Sequence, residues 1–229
     1  MPSRFSFYST KEEIQSKFNI SPKNLETIEF HPYYNLKPTN RTTAIINDNG
    51  LKLVRMKWGF IKGTQFYKVR AESIHEKPMF AKAFRERRCV VLANGFFEWE
   101  KEDKKSIPYY FTVMDESVFQ IAGIYNSHLD EESGEVKYQV AVVTVDSNEL
   151  VGRIFHRMPV IFTINEMERW INPQEKPQDL LQLLKAYPAD KMKTWKVNQL
   201  PAKGDNGPDT IKPLKENTKS KNPGLLDFI

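Results

Sequence analysis

The sequence predicts a β-rich α+β fold in a single domain, and three observations lead to this prediction. Apolar runs of strand length recur between turn residues along most of the chain. Only a few segments show the 3.6-residue spacing of amphipathic helices. At 229 residues with 40% hydrophobic content, the chain is long enough to bury one sizeable core.

Local signals predict the elements in chain order. A capping box that starts at Thr10 predicts a helix, with Ile14 and Phe18 four residues apart on one face. Leu51–Trp58 follows a turn at residues 47–50 and alternates apolar with basic residues, as a half-buried strand does. The other predicted elements are a helix beginning at Pro78, strands at residues 109–113, 118–125 and 138–145, a helix capped at Thr163 that ends before Pro173, and a last helix at residues 180–184.

Composition and charge limit the classes of protein to consider. No apolar run approaches the roughly 20 residues that span a bilayer, and the N-terminus lacks a signal-peptide pattern, so we expect a cytoplasmic protein without membrane association. The single cysteine, Cys89, lies in an apolar run typical of a core strand, and one cysteine excludes an intrachain disulfide. A net charge of +5 and a pI near 9.1 favour a polyanionic partner without specifying one.

Six motifs occur in one order and carry more information than composition does. They are Tyr34-Asn35-Leu36-Lys37-Pro38-Thr39, Lys57-Trp58-Gly59-Phe60-Ile61, Arg70-Ala71-Glu72-Ser73, Ala93-Asn94-Gly95-Phe96-Phe97-Glu98-Trp99, Ala122-Gly123-Ile124 and Arg157-Met158-Pro159-Val160-Ile161. Together with Val197-Asn198 and residues 211–214, this order resembles the SOS-response-associated peptidase (SRAP) family of abasic-site processing proteins. The resemblance covers about residues 1–214, which we expect to form the SRAP domain, followed by a polar tail at 215–229.

The resemblance implies short helices around a curved, barrel-like sheet and a positively charged groove for single-stranded DNA. It implies an enzyme of the peptidase or abasic-site lyase type. In the family, loss of the initiator Met frees an N-terminal Cys. Its α-amine condenses with the ring-opened aldehyde of an abasic site, and its thiol closes a thiazolidine that tethers protein to DNA. A Glu, an Asn and a His assist the proton transfers. For this chain, the resemblance implies a monomer acting on the bacterial nucleoid in the SOS response to DNA damage.

Matched position by position, the chain retains one of the four catalytic residues of that family. Glu98 matches the Glu, and its aromatic neighbours predict a pKa raised toward the range of a general acid or base. The Cys position holds Pro2, the Asn position holds Lys68 and the His position holds Phe155, with His156 one residue later. A one-residue shift on a strand turns the side chain to the opposite face, so His156 replaces the family His only if a bulge restores its direction.

Proline has no thiol to close a thiazolidine, but an N-terminal proline carries a secondary amine that attacks an aldehyde to give an iminium. An α-amine with a pKa near 8 is neutral in roughly a tenth of molecules at pH 7, far more often than an ordinary lysine. Pro2 is therefore the better nucleophile, and Lys68 competes only if burial or a neighbour such as Arg70 lowers its pKa. A cationic iminium favours β-elimination over a lasting tether. The Pro2 hypothesis requires removal of Met1.

Two functions therefore remain open. In the first, the protein is a repair enzyme that condenses Pro2 with abasic sites, while Glu98 transfers protons. In the second, it is a catalytically degenerate paralogue that binds single-stranded DNA without covalent chemistry. In the first, Arg4, Arg70 and Lys68 hold the phosphates. In both, we expect DNA contacts from Arg4, Arg70 and Lys57 and base stacking on Trp58.

The chain ends in the short apolar segment 223–229 after a polar stretch. One hypothesis is that it docks onto a replication factor such as the sliding clamp; the other is that it folds back onto the domain. The histidines His31, His75 and His128 show no ligand spacing with one another or with Cys89, so the sequence predicts no metal site and no cofactor.

Overall fold

The computed structural model describes residues 3–25, 28–62, 64–103, 105–200 and 207–214, without the side chains of residues 61–65. The strands are β1 (Arg4–Phe7), β2 (Tyr33–Leu36), β3 (Arg41–Asn47), β4 (Leu51–Trp58), β5 (Phe60–Lys62), β6 (Thr64–Phe66), β7 (Lys68–Arg70), β8 (Arg88–Ala93), β9 (Gly95–Glu102), β10 (Lys105–Val113), β11 (Phe119–Leu129), β12 (Val136–Asp146), β13 (Arg157–Pro159), β14 (Ile161–Phe162) and β15 (Met192–Lys196). The α-helices are α1 (Lys11–Phe18), α2 (Pro78–Glu86), α3 (Glu149–Gly152), α4 (Ile164–Ile171) and α5 (Pro177–Leu180).

Five strands close into a small barrel in the order β12, β4, β3, β8 and β11, because β12 pairs with both β4 and β11. The β12–β4 pair is parallel, and the other four pairs of the ring are antiparallel. Where β4 ends, β7 takes its place and pairs in parallel with the following residues of β12. The barrel confirms the predicted β-rich class with short helices.

A second sheet packs against this barrel, with five antiparallel strands in the order β15, β10, β9, β1 and β2. The ring of Phe5 on β1 lies 4.7 Å, centre to centre, from the ring of Trp58 at the end of β4. Both rings are almost fully buried, at 2% and 1% exposure. Burial of rings this large contributes several kcal/mol each on an order-of-magnitude scale, so this contact joins the two sheets firmly.

The local signals in the sequence placed most helix starts correctly. Thr10 and Thr163 both form complete capping boxes with the Glu three residues later, which satisfies backbone N–H groups that a helix N-terminus leaves unpaired. Pro78 is the first residue of α2, and β4 has the predicted bounds. The helix predicted at residues 180–184 starts earlier, at Pro177, and finishes as a 3₁₀ turn at Leu181–Leu183.

The last described residues of the chain contain local structure. Pro208–Ile211 forms a 3₁₀ turn, and Val197 and Pro213 make an isolated β-bridge. Segment 215–229, the predicted polar tail with its clamp-docking hypothesis, lies outside the described residues. The proposed domain limit at residue 214 therefore stays a prediction.

No helix within the described ranges is long and apolar enough to cross a membrane. Cys89 is fully buried on β8, and burial raises the pKa of its thiol, as expected of a core cysteine.

The start of β9 is held by a close approach of Gly95 to Tyr110 on β10. Tyr110 is almost fully buried, and its hydroxyl lies 2.7 Å from the Ser6 hydroxyl on β1. A Cβ at position 95 would overlap the tyrosine ring, so only glycine fits there. This contact fixes the strand that carries Glu98.

We predict that Gly95→Ala lowers the free energy of unfolding by about 1–3 kcal/mol, because the added methyl group must displace a buried ring. Urea unfolding followed by circular dichroism measures the change. Gly152→Ala in α3 is the matched control, since its Cβ would meet only the Ser147 hydroxyl at 3.3 Å and alanine favours helix. Equal stability of the two variants would contradict the packing argument.

Candidate active site

The pairing of β12 determines which side chains of the barrel can meet. On β12, Val140 stands opposite Trp58 and Val142 stands opposite Lys68. The pairing of β12 with β11 is regular over its length. Residues two apart on a strand project to the same face, and directly opposed residues share a face. Trp58 and Lys68 therefore project from the same face.

The second sheet directs Glu98 toward that face. Phe5 pairs with Phe96, and Glu98 lies two residues further along β9, so all three project to the same side. Because Phe5 packs on Trp58, this side of the second sheet meets the face that carries Lys68. The fold thus brings together two residues from distant motifs, Glu98 and Lys68.

Glu98 is 2% exposed, and burial raises the pKa of its carboxyl to about 7, while nearby positive charge, that of Lys68 included, limits the rise. Lys68 is partly buried, and burial lowers the pKa of its amine while the charge of Glu98 acts in the opposite direction. A carboxyl with a pKa near 7 exchanges its proton readily at neutral pH, which suits a general acid and base. The predicted direction of the Glu98 pKa is confirmed.

An ion pair between the buried side chain of Arg157 and the half-exposed Glu72 fixes the strand that carries Lys68, and the sequence did not predict it. The Arg157 side chain is 4% exposed and makes two parallel hydrogen bonds to Glu72, of 2.8 and 2.9 Å. It also donates to Asp146 at 2.6 Å and to the carbonyl of Thr144 at 2.6 Å. Such bidentate geometry is strong and directional. Arg157 therefore ties β13 and the end of β12 to the turn after β7.

Both partners, Arg157 and Glu72, lie within sequence motifs. Their opposite charges were the only feature of the sequence that could have suggested that they form an ion pair. Their contact joins residues 85 apart in the chain, so only the fold could reveal it.

The predicted phosphate-binding residues lie on different surfaces. Arg4 pairs with Phe97 and so projects away from Glu98; it donates to the Asn35 side chain at 3.0 Å, and its guanidinium lies 5.7 Å from the Trp99 ring centre. Lys57 precedes Trp58 on β4 and faces the other side of the barrel wall. Arg4 and Lys57 therefore do not share a face with Glu98 and Lys68, and the phosphate contacts predicted for them stay predictions.

Arg70 is different, because it lies two residues beyond Lys68 on β7 and projects to the same side. Its side chain is exposed at the rim of the site. A phosphate contact by Arg70 stays a prediction.

The burial of Trp58 gives no support to the prediction that it stacks on DNA bases. Its ring is 1% exposed beneath Phe5, and its indole N–H donates to the carbonyl of Tyr67 at 2.8 Å. A base-stacking platform needs an accessible ring face. Trp58 instead anchors the contact between the sheets.

His156 is exposed just before β13, and its ring centre lies 4.4 Å from that of the partly buried Phe155. No hydrogen bond or ion pair within the described part of the chain joins its imidazole to Glu98 or Lys68. A bulge that would restore the family position is not visible in the β12–β13 register, which is regular. The catalytic role predicted for His156 therefore receives no support from its position.

Pro2 lies outside the described residues, so its predicted role as the nucleophile stays a prediction. In the described ranges, no group of three or more His, Cys, Asp or Glu side chains is placed to hold a metal ion. The chemistry available in the described site is therefore proton transfer by Glu98 beside an amine.

Comparisons with known proteins agree with this fold. A family model described as "SOS response associated peptidase (SRAP)" matches residues 1–201. "Abasic site processing protein YoqW" of Bacillus subtilis is 34% identical over 223 residues, covering 92% of this chain and 99% of that protein. "Abasic site processing protein YobE" of the same organism is 34% identical over 211 residues, covering 87% and 95%. A solved protein structure from Bacteroides thetaiotaomicron superposes with a TM-score of 0.80 at 27% identity, covering 93% and 100%.

The raised pKa of Glu98 predicts a pH dependence of stability. Between the ordinary value of 4.5 and about 7, only the folded state keeps the proton, so proton binding favours folding in this window and the benefit is lost as pH rises. We expect the free energy of unfolding of the parent, relative to Glu98→Gln, to fall by about 3 kcal/mol from pH 4.5 to pH 7.

Denaturant titrations at half-unit pH steps measure this difference. Glu102→Gln, at the exposed end of the same strand, is the control and should leave the parent profile in place. If the free energy of unfolding varied with pH in the same way for the parent and for Glu98→Gln between pH 4.5 and 7, the raised pKa of Glu98 would be contradicted.

Proposed function

Because the chain belongs to the SOS response associated peptidase (SRAP) family, we propose that it processes abasic sites in DNA by condensing an amine with the ring-opened aldehyde. One observation carries the proposal: Glu98 is buried, has a pKa of about 7 and lies beside an amine, Lys68. The relatives named abasic site processing proteins match nearly the whole chain, which supports the same substrate here.

In the first form of the proposal, the nucleophile is the α-amine of Pro2 after removal of Met1. The amine nitrogen bonds to the aldehyde carbon to give a carbinolamine. Protonated Glu98 gives its proton to the carbinolamine hydroxyl, which leaves as water, and an iminium forms. The charge balances, since neutral acid and neutral carbinolamine become carboxylate and iminium.

The iminium then directs the outcome. It withdraws electrons from the neighbouring C2′ atom, and the Glu98 carboxylate takes the C2′ proton. The electron pair moves toward the nitrogen and the 3′ phosphate leaves as the C3′–O bond breaks. Water finally hydrolyses the conjugated iminium and returns the amine. The expected activity is lyase-like and reversible in its protein linkage, since no thiol is present at residue 2 to trap the intermediate.

Lys68 is the second candidate amine, and burial lowers its pKa in the direction that a nucleophile requires. A primary amine at this position forms an imine by the same steps. The two amines predict different labelled peptides, which makes them separable by experiment.

The alternative function is non-covalent binding of single-stranded DNA by a degenerate paralogue. The observation that favours it is the set of changed residues: Pro2, Lys68 and Phe155 stand where the family has Cys, Asn and His. Under this alternative, exposed Arg70 would contact DNA phosphates at the rim, and no adduct would form.

We predict that borohydride traps a covalent adduct between the Met1-free protein and a single-stranded oligonucleotide with one abasic site. Glu98→Gln should slow adduct formation by about 10²-fold or more, because the site loses its proton-transfer group. Gel shift under denaturing conditions measures the rate, and peptide mass spectrometry identifies the amine. Glu102→Gln is the control and should react as the parent does.

The location of the adduct assigns the nucleophile. Adduct on the N-terminal peptide that survives Lys68→Gln supports Pro2, whereas adduct on the peptide with residue 68 supports Lys68. Binding without any trapped adduct would overturn the enzymatic proposal and support the paralogue.

We further predict that Pro2→Cys converts the transient linkage into one that resists heat without borohydride. The new thiol can close a thiazolidine on the carbon that the amine has attacked. Pro2→Ser is the matched control, since it supplies an α-amine without a thiol and should give only borohydride-dependent adduct. If Pro2→Cys gave no durable adduct, the N-terminal amine would be excluded as the nucleophile and Lys68 would remain.

A further inference from the structure

A second basic site lies apart from Glu98. It is a cavity of about 370 Å³ in the barrel wall, formed where the ends of β3, β4, β11 and β12 come together. Its lining includes four residues with basic side chains and no carboxylate. The lining residues are Thr39, Arg41, Lys57, His128, Lys137, Tyr138 and Gln139.

Strand alternation separates this cavity from the candidate active site. Lys57 stands opposite both Arg41 and Gln139, so these three side chains share a face. Trp58 follows Lys57 directly and projects to the other face, where Lys68 lies. A ligand in the cavity would therefore lie across the sheet from Glu98.

The arrangement of charge in the cavity is unfavourable without a ligand. Arg41 and Lys57 are directly opposed on antiparallel strands, where like charges destabilise the pair. Among the described residues, no carboxylate lies within ion-pair distance of either cation. Lys137 is already paired with Asp130. An anion held between Arg41 and Lys57 would remove their repulsion.

A neighbouring arginine adds to the positive field. Arg55 lies two residues before Lys57 on the same face and donates to the Thr43 hydroxyl and to the carbonyl of Arg41. Burial lowers the pKa of Arg55, and the charge of Arg41 lowers it further, although Tyr33 opposes this. The cations of β3 and β4 therefore interact with one another.

The backbone at the edge of the cavity is strained. Thr39 has φ of 78°, in the left-handed region that β-branched residues avoid. Its N–H donates to the carbonyl of Trp58 at 2.8 Å, and the N–H of Trp58 donates to the carbonyl of Asn40 at 2.9 Å. These bonds hold the strained turn against the end of β4, at the cavity edge. Strain of this kind is retained where the surrounding structure fixes it, often beside binding sites.

The size and walls of the cavity indicate the class of ligand. The volume lies within the range of small-molecule sites, which is larger than a simple inorganic anion requires. The imidazole ring of His128, which stands opposite Lys137 and so shares the face of Gln139 and Lys57, suits stacking on a nucleobase. We propose that this cavity binds one nucleotide unit, with Arg41 and Lys57 neutralising its phosphate.

The site extends beyond the proposed abasic chemistry, because Arg41, Lys57 and Gln139 lie on the other face of the sheet and the ligand need not be damaged. The phosphate has two possible sources, a free nucleotide or a residue of a nucleic acid strand. Both present the same group to Arg41 and Lys57.

The test uses the full chain and a fluorescein-labelled, undamaged 12-nucleotide single strand. Arg41→Gln/Lys57→Gln should weaken binding severalfold and reduce the slope of log affinity against log salt by about 0.7 for each phosphate that is no longer neutralised. The matched control is Lys82→Gln/Arg85→Gln on exposed positions of α2, which removes the same charge outside the cavity. The melting temperature of the cavity variant should equal or exceed that of the parent, because a repulsive pair is removed.

Competition with deoxyadenosine monophosphate distinguishes the two sources. If deoxyadenosine monophosphate displaces the strand from the parent protein but not from the cavity variant, a free nucleotide is a ligand of the cavity. Weakened strand binding without such competition assigns a strand phosphate. Affinity and salt slope equal to those of the α2 control would overturn the proposal. The 12-nucleotide strand carries no abasic site, so this binding result does not depend on the chemistry at Glu98 and stands if the abasic chemistry fails.

Discussion

The packing of Phe5 on Trp58 determines which residues of this protein can act together. The contact places one side of β9 against the end of the barrel. The alternation of side chains along each strand then determines which of them face this contact. Glu98 shares a side with Phe5, and Lys68 shares a side with Trp58, so the two meet. By the same rule, Lys57 is excluded from the site although it is next to Trp58. Which side chains meet at the site therefore depends on the alternation of faces along each strand. Closeness in sequence does not determine it.

Local chemistry explains what the sequence could predict. The capping box at Thr10 and the alternation in Leu51–Trp58 involve residues within a few positions of one another, and both appear in the fold as expected. Burial of Cys89 likewise followed from its apolar run. The raised pKa of Glu98 was expected in direction from its aromatic neighbours in the sequence, but the desolvation comes from burial on the side that Glu98 shares with Phe5 and Phe96.

Long-range pairing explains what the sequence could not predict. Trp58 appeared suited to stacking on DNA, but Phe5, more than 50 positions away in the chain, covers it. Arg4 matched a phosphate-binding position, yet its register with Phe97 turns it toward Asn35 and Trp99. The bidentate bond between Arg157 and Glu72 depends on β7 replacing β4 beside β12. Each of these facts is a property of sheet register, which motif order does not contain.

The substitution of lysine at residue 68 changes what Glu98 can do. An asparagine there would offer a neutral hydrogen-bonding group, whereas lysine offers a charge that stabilises the carboxylate. Burial disfavours both ions, as the opposed shifts of the two pKa values indicate. Moving the proton from the amine to the carboxyl replaces one buried charge and one partly buried charge with two neutral groups. That neutral form contains a nucleophilic amine and a carboxylic acid side by side, which are the two components that condensation with an aldehyde requires. The pairing of Glu98 with Lys68 therefore gives a site that fits amine chemistry.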